Sequence, residues 1–221
     1  MKYAVFLAMF FPVFHFAQME TDRPGEGTAS TIISPKSIQL ESGIIYNRST
    51  KGFTSDHLLR FGLTERWEVR LQTIQDLSNS SGSTYGFSSK YNFLKGDDYA
   101  PSLTLIADSD FQFKNYSFIL AYDKQFTENF GSSAGIGYLK ENMKDYYFLS
   151  FGLDYSFTDR LAIFTEYYGY FNSNLSPEHG VDFGITYLAA PRLQLDVSVG
   201  SNPQNISAKY YLSTGISYQF K

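Results

Sequence analysis

The groups with chemistry to offer in this sequence are ionisable side chains set at alternate positions among apolar ones: Glu41, Arg60, Glu68, Arg70, Lys90, Asp108, Asp123, Asp154, Glu166, Asp182, Asp196 and Lys209. Asp22 and Arg23 precede them. Carboxylates and guanidinium groups spaced in this way suit the solvation and sorting of ions better than the making of bonds. Nucleophilic catalysis needs a base and a group that orients it. The 221-residue chain has no Cys, which excludes a thiolate nucleophile, a disulfide scaffold and a thiolate zinc site. Past residue 18 the only histidines are His57, beside Ser55 and Asp56, and His179, near Ser176 and Glu178. Both fall near expected loops, so no catalytic set is expected and an outer-membrane hydrolase is the weaker alternative. No metal-ligand cluster, phosphate loop or dinucleotide fingerprint is present, so neither metal nor cofactor is expected. A net charge of −4 also argues against nucleic acid as a partner.

The elements that must position these groups follow from a repeat. Polar turn signals begin at Thr64, Lys95, Thr127, Thr158 and Ala190, at intervals of 31, 32, 31 and 32 residues. A second set of breaks falls midway: 49–55, 75–82, 109–114, 140–144, 171–179 and 201–205. The stretches between them alternate with period two and are rich in Tyr, Phe, Ile, Leu and Val, so they read as strands and not as helices. Each unit holds two strands of about eleven residues, one tight turn and one longer loop. The sequence therefore predicts an all-β fold: an antiparallel up-and-down transmembrane barrel of about 12 strands over residues 36–221, with short periplasmic turns and short outer loops. Pro101, Pro177, Pro191 and Pro203 lie in connections or at strand starts, where a ladder tolerates them.

Parity decides which way the barrel faces. One face collects residues such as Leu40, Phe61, Trp67, Phe87, Leu105, Phe118, Phe151, Tyr167, Leu195 and Phe220, with Lys124 as its one charge, two residues from a turn. The other face collects Gly, Ser, Gln and the twelve ionisable residues. A soluble barrel would present a solvated face dense in Lys and Glu, and 40 aromatic residues would overfill its interior. Turned outward, the aromatic face meets lipid, and outer-membrane lipid is the expected surrounding. Trp67, Phe93, Phe126, Phe130, Phe157 and Tyr187 gather beside the tight turns as an interfacial girdle.

Residues 1–18, MKYAVFLAMFFPVFHFAQ, have the basic start, apolar run and small residue of a secretory signal peptide, with cleavage expected near Ala17 or Gln18. Residues 19–35 then form a periplasmic N-terminal segment. Past residue 18 no apolar run is long enough for a membrane-spanning helix. The predicted location is the bacterial outer membrane, with the barrel-assembly machinery as partner during biogenesis.

The segment Glu20-Thr21-Asp22-Arg23-Pro24-Gly25, together with Ile38-Gln39-Leu40-Glu41-Ser42-Gly43 and the stretch Leu58 to Arg70, resembles an outer-membrane barrel family of transporters associated with the meta-pathway of phenol degradation. These motifs cover about the first third of the chain. The terminal Tyr218-Gln219-Phe220 resembles the closing aromatic signature of outer-membrane proteins, with Lys221 added. The resemblance implies passage of a small-molecule solute without fixing which one.

The inward charges sort by strand. Arg60, Arg70 and Lys90 lie early, and Asp123, Asp154, Glu166, Asp182 and Asp196 lie late, so a basic wall faces an acidic one. In a water-filled passage that arrangement orients polar solutes and prefers cations; in a narrow one the same groups pair and close the lumen. Asp22 and Arg23 either fold into the periplasmic mouth and join this network or belong to a mobile tail.

Overall fold

The computed structural model describes residues 19–78 and 82–220. The expected signal peptide lies outside the described residues. Twelve strands follow in chain order: β1 (Ile38–Asn47), β2 (Gly52–Gly62), β3 (Trp67–Asp76), β4 (Ser83–Leu94), β5 (Ser102–Asp110), β6 (Tyr116–Gln125), β7 (Phe130–Glu141), β8 (Lys144–Thr158), β9 (Leu161–Phe171), β10 (Glu178–Ala190), β11 (Leu193–Ser201) and β12 (Tyr210–Phe220). Each pairs antiparallel with its neighbours in sequence, and β12 closes the barrel on β1 from Ile38↔Phe220 to Asn47↔Tyr211. Closure leaves no open sheet edge, as a membrane-spanning sheet requires. The register slips at Asn92/Leu94, Ser156/Thr158 and Leu188/Ala190, all at the end of the barrel that carries the start of β1.

The 31-residue repeat has a local cause. The hydroxyls of Thr64, Thr127 and Thr158 accept the amides of Arg66, Asn129 and Arg160, two residues ahead, at 3.2, 3.3 and 3.2 Å, which closes each turn. Asp97 does the same through the amides of Ala100 and Tyr99, and those two bonds hold its carboxyl below the usual carboxylate range. Its connection runs over residues 95–101, longer than the tight turn expected there. At the opposite end, the expected loop at 140–144 is a two-residue turn, because Asn142 (φ 49°) and Met143 (φ 65°) both take the left-handed conformation that matches hairpin twist.

The faces divide as parity predicts. Phe151 is 51% exposed and Leu195 42%, whereas Asp196 is 5% exposed and Glu41, Arg60, Glu68 and Lys90 are fully buried. Charge is inside and apolar bulk outside, the inverse of a water-soluble protein. Lys124, on the outer face, turns its ammonium onto the carbonyls of Asp97, Asp98 and Ala100 at the rim, at 2.8–3.4 Å; Lys140 and Asp145, paired across β7 and β8 at the opposite end, are charged outward positions as well. Phe151 pairs with Ala134 and Tyr167 midway along β8. Replacing it with Arg is expected to cost roughly 2–4 kcal/mol of folding stability in a bilayer, read from urea titrations in lipid vesicles, since mid-depth is where a cation costs most. A value near zero would put this face in water.

Candidate functional site

Residues 19–37 join no strand; over residues 20–33 the backbone runs as a hairpin inside the barrel. It enters beside Gln39 and Arg60, near the start of β1, and reaches its tip at residues 24–26, where the Glu26 carboxylate accepts the Tyr170 hydroxyl near the far end of β9. It then returns past Ser30 to Ile33, where it meets Glu68. Irregular backbone at membrane depth must find partners for every amide and carbonyl. Inward side chains of the wall supply them. Glu41 accepts the amides of Asp22 and Arg23, both at 3.1 Å; Glu166 accepts that of Gly27 at 2.7 Å; Asp123 accepts that of Ser30; and Glu68 accepts that of Ile33 at 2.8 Å. In the other direction, Gln39 and Arg60 donate to the Glu20 carbonyl at 2.7 and 2.8 Å, Lys90 donates to the carbonyls of Ala29 and Thr31 at 2.8 and 3.3 Å, and Thr104 donates to that of Ser30.

Ion pairs tie the same segment down. Asp22 bridges Arg70 and Lys90, the latter at 2.7 Å. Arg23 reaches Asp56, Asp196 at 3.3 Å and Ser213 at 2.9 Å. Its guanidinium lies flat on bare backbone: a Cβ on Gly43 would fall 2.1 Å from it, and one on Gly215 2.4 Å. Below the hairpin, Arg60 forks between Glu41 at 2.7 Å and Glu68 at 2.8 Å, all three fully buried. Arg70 also meets Asp108 at 3.2 Å.

Donors and acceptors of the wall are interleaved: Glu41 and Glu68 accept hairpin amides beside Arg60 and Lys90, which donate to its carbonyls, and Asp123 and Glu166 accept from the later strands. Glu41, Arg60, Glu68, Arg70, Lys90, Asp108, Asp123, Asp154, Glu166, Asp182 and Asp196 all stand at inward positions, and Asp22 and Arg23 stand among them on the hairpin. Lys209 does not. Pairing of β11 with β12 stops at Ser201↔Tyr210, so Lys209 lies one residue outside the strand, exposed in the connecting loop. The segment expected on the periplasmic side of the barrel has its residues 20–33 within it.

Asp56, which borders an expected loop in the sequence, also belongs to the site; its parity on β2 is the signal for it. Phe148, Phe164, Tyr168, Tyr170 and Tyr211 also stand at inward positions, on the face read as Gly, Ser and charge. His57 and His179 point outward, to Ser42 and to Tyr167, each at 2.7 Å. Asp56 faces the opposite side of its strand from His57. Between the hairpin and the wall, near the start of β1, is a cavity of about 660 Å³ bordered by Glu20, Thr31, Asn92, Asp97 and Asp123.

An all-antiparallel twelve-stranded barrel with a lipid-type exterior and a polypeptide in its lumen defines the class: an outer-membrane β-barrel. Its family model spans residues 21–220, and the chain belongs to the family described as "Putative MetA-pathway of phenol degradation". Among solved structures, it is similar to the KdgM porin (14% identity, TM-score 0.67, covering 83% of this chain and 99% of that one). It is also similar to the NanC porin (9%, 0.69, 81% and 98%) and to the COG4313 outer membrane channel from Pseudomonas putida F1 (10%, 0.59, 89% and 99%). No curated protein matches in sequence.

Proposed function

We propose that this protein is a passage for small polar solutes across the bacterial outer membrane, closed in the described state by its own N-terminal hairpin. The observation that carries the reading is the satisfaction of the hairpin by side chains of the surrounding wall, with nothing covalent holding it there. Both ends of the hairpin lie at the end of the barrel with the start of β1, the periplasmic end by the rule that short turns face inward, so withdrawal toward the periplasm opens the lumen. The fold shared with porins supports a conduit. Nine carboxylates of the wall (Glu41, Asp56, Glu68, Asp108, Asp123, Asp154, Glu166, Asp182, Asp196) outnumber its buried cations Arg60, Arg70 and Lys90, so the open state prefers cations. A polyanion such as the oligogalacturonate seen with a KdgM porin suits that lumen poorly.

A pair of cysteines tests the reading. A Cβ on Gly27 would sit 3.1 Å from the Ser150 hydroxyl, within reach of a bridge, and the chain has no other thiol. In planar bilayers, G27C/S150C is expected to be silent when oxidised. On reduction it should show openings, with a reversal potential in a KCl gradient that favours K⁺. A fully buried Arg60 fork favours a second reading, a purely structural barrel; that reading expects silence in both redox states.

A further inference from the structure

We infer that the loop-end half of the lumen, between the hairpin tip and strands β9, β10 and β12, recognises a small organic cation: an ammonium carried on an apolar body. This rests on the reading of the barrel as a passage and names its solute class. Glu166 and Asp182 are direct cross-strand partners, both inward and both buried. Like charges set opposite each other destabilise a sheet unless something neutralises them. Among the described residues no Lys or Arg forms an ion pair with Glu166, with Asp182 or with Glu26, whose carboxylate faces them from the hairpin.

An independent observation also points to a missing donor. Asp182 is only 3% exposed; its Oδ2 accepts the Tyr211 hydroxyl at 2.7 Å, and its Oδ1, equally buried, has no partner. A buried charged acceptor left without a donor is costly, and native structures rarely keep one.

The surroundings select the kind of cation. A bare divalent ion needs several oxygens at about 2.0–2.6 Å, and no group of three acidic or His side chains among the described residues is compact enough to hold one. The basin is instead walled by rings. Tyr168 and Tyr170 stand 6.2 Å apart at 69°, and Phe148 lies 5.3 Å from Tyr170. Their placement is built in: a Cβ on Gly180 would fall 2.0 Å from the Tyr168 ring, and one on Gly200 2.2 Å from the Tyr211 ring. Aromatic faces beside carboxylates attract an organic ammonium by charge and by the ring quadrupole, whereas small hydrated ions gain little from the rings. Glu26, at the hairpin tip beside these rings, is exposed.

The test is calorimetric titration of the full-length protein in detergent with 2-phenylethylammonium, with 2-phenylethanol as its neutral counterpart. Saturable binding of the amine alone is expected. It should weaken on the order of tenfold in Asp182→Asn and several-fold in Tyr168→Leu. No saturable binding, equal binding of the alcohol, or an undiminished D182N would overturn the inference. Because the titration needs no flux, a barrel that conducts but binds no amine refutes this site alone. One that binds amine but never conducts refutes the passage alone.

Discussion

Deleting residues 21–33 is expected to turn a closed barrel into a conducting one. The deletion keeps Ser34, Lys36 and Ser37, whose backbone bonds with each other and with Gly62 cap the entry to β1, and it leaves all twelve strands intact. It removes every backbone group that Glu41, Glu68, Lys90, Asp123 and Glu166 now bind, and with Asp22 it removes the shared counter-ion of Arg70 and Lys90. Those side chains then need water, which enters a lumen wide enough to have held two passes of polypeptide. Mean conductance in planar bilayers should rise at least about tenfold over the full chain, with cation preference from the carboxylate excess. Unchanged conductance from a deletion variant that still migrates as a folded barrel would show that the wall collapses on itself, and the hairpin would then not be what closes the lumen.

The wall was legible in the sequence and its occupant was not, for a physical reason. Strands such as Leu193–Ser201 announce themselves because lipid on one side and polar groups on the other impose strict alternation, and the Thr turns punctuate them at fixed intervals. Residues 19–37 carry no period at all. Their conformation is dictated by partners up to 190 residues away, such as Arg23 with Ser213 and Thr21 with Gln194, so local pattern cannot separate a seated hairpin from a free tail. The available hint was stoichiometric: inward charge on both walls exceeds what a barrel needs to hold itself together. Errors at the edges have similar local causes. Lys209 follows the alternation of β12 but sits one residue beyond its ladder, and the polar run at 140–144 hides a two-residue turn that only backbone dihedrals reveal. Inward rings such as Tyr168 escape the pattern because an aromatic side chain suits the lipid side and a lined lumen alike.

The second large effect is expected at Arg60. Arg60→Ala strands two fully buried carboxylates, Glu41 and Glu68, and deprives the Glu20 carbonyl of a donor. Breaking a buried pair from one side typically costs about 3–5 kcal/mol, and here one cation serves two anions. Arg60→Lys should recover only part of this, because an ammonium cannot reproduce the guanidinium fork. Those losses alone would not say whether the network holds the barrel or seats the hairpin, but replacing Glu41, Arg60 and Glu68 together with Met separates the two roles. Apolar replacement of a complete buried network is often neutral for the fold, so urea titration should find the triple variant close to native. The amides of Asp22, Arg23 and Ile33 would nonetheless lose their acceptors. Hydrogen exchange across residues 21–33 should therefore accelerate by about two orders of magnitude while the strands stay protected, given roughly 1–3 kcal/mol for each buried amide left unpaired. Protection of the hairpin at native level in that variant would assign its seating to Asp22, Arg23 and Asp123 instead.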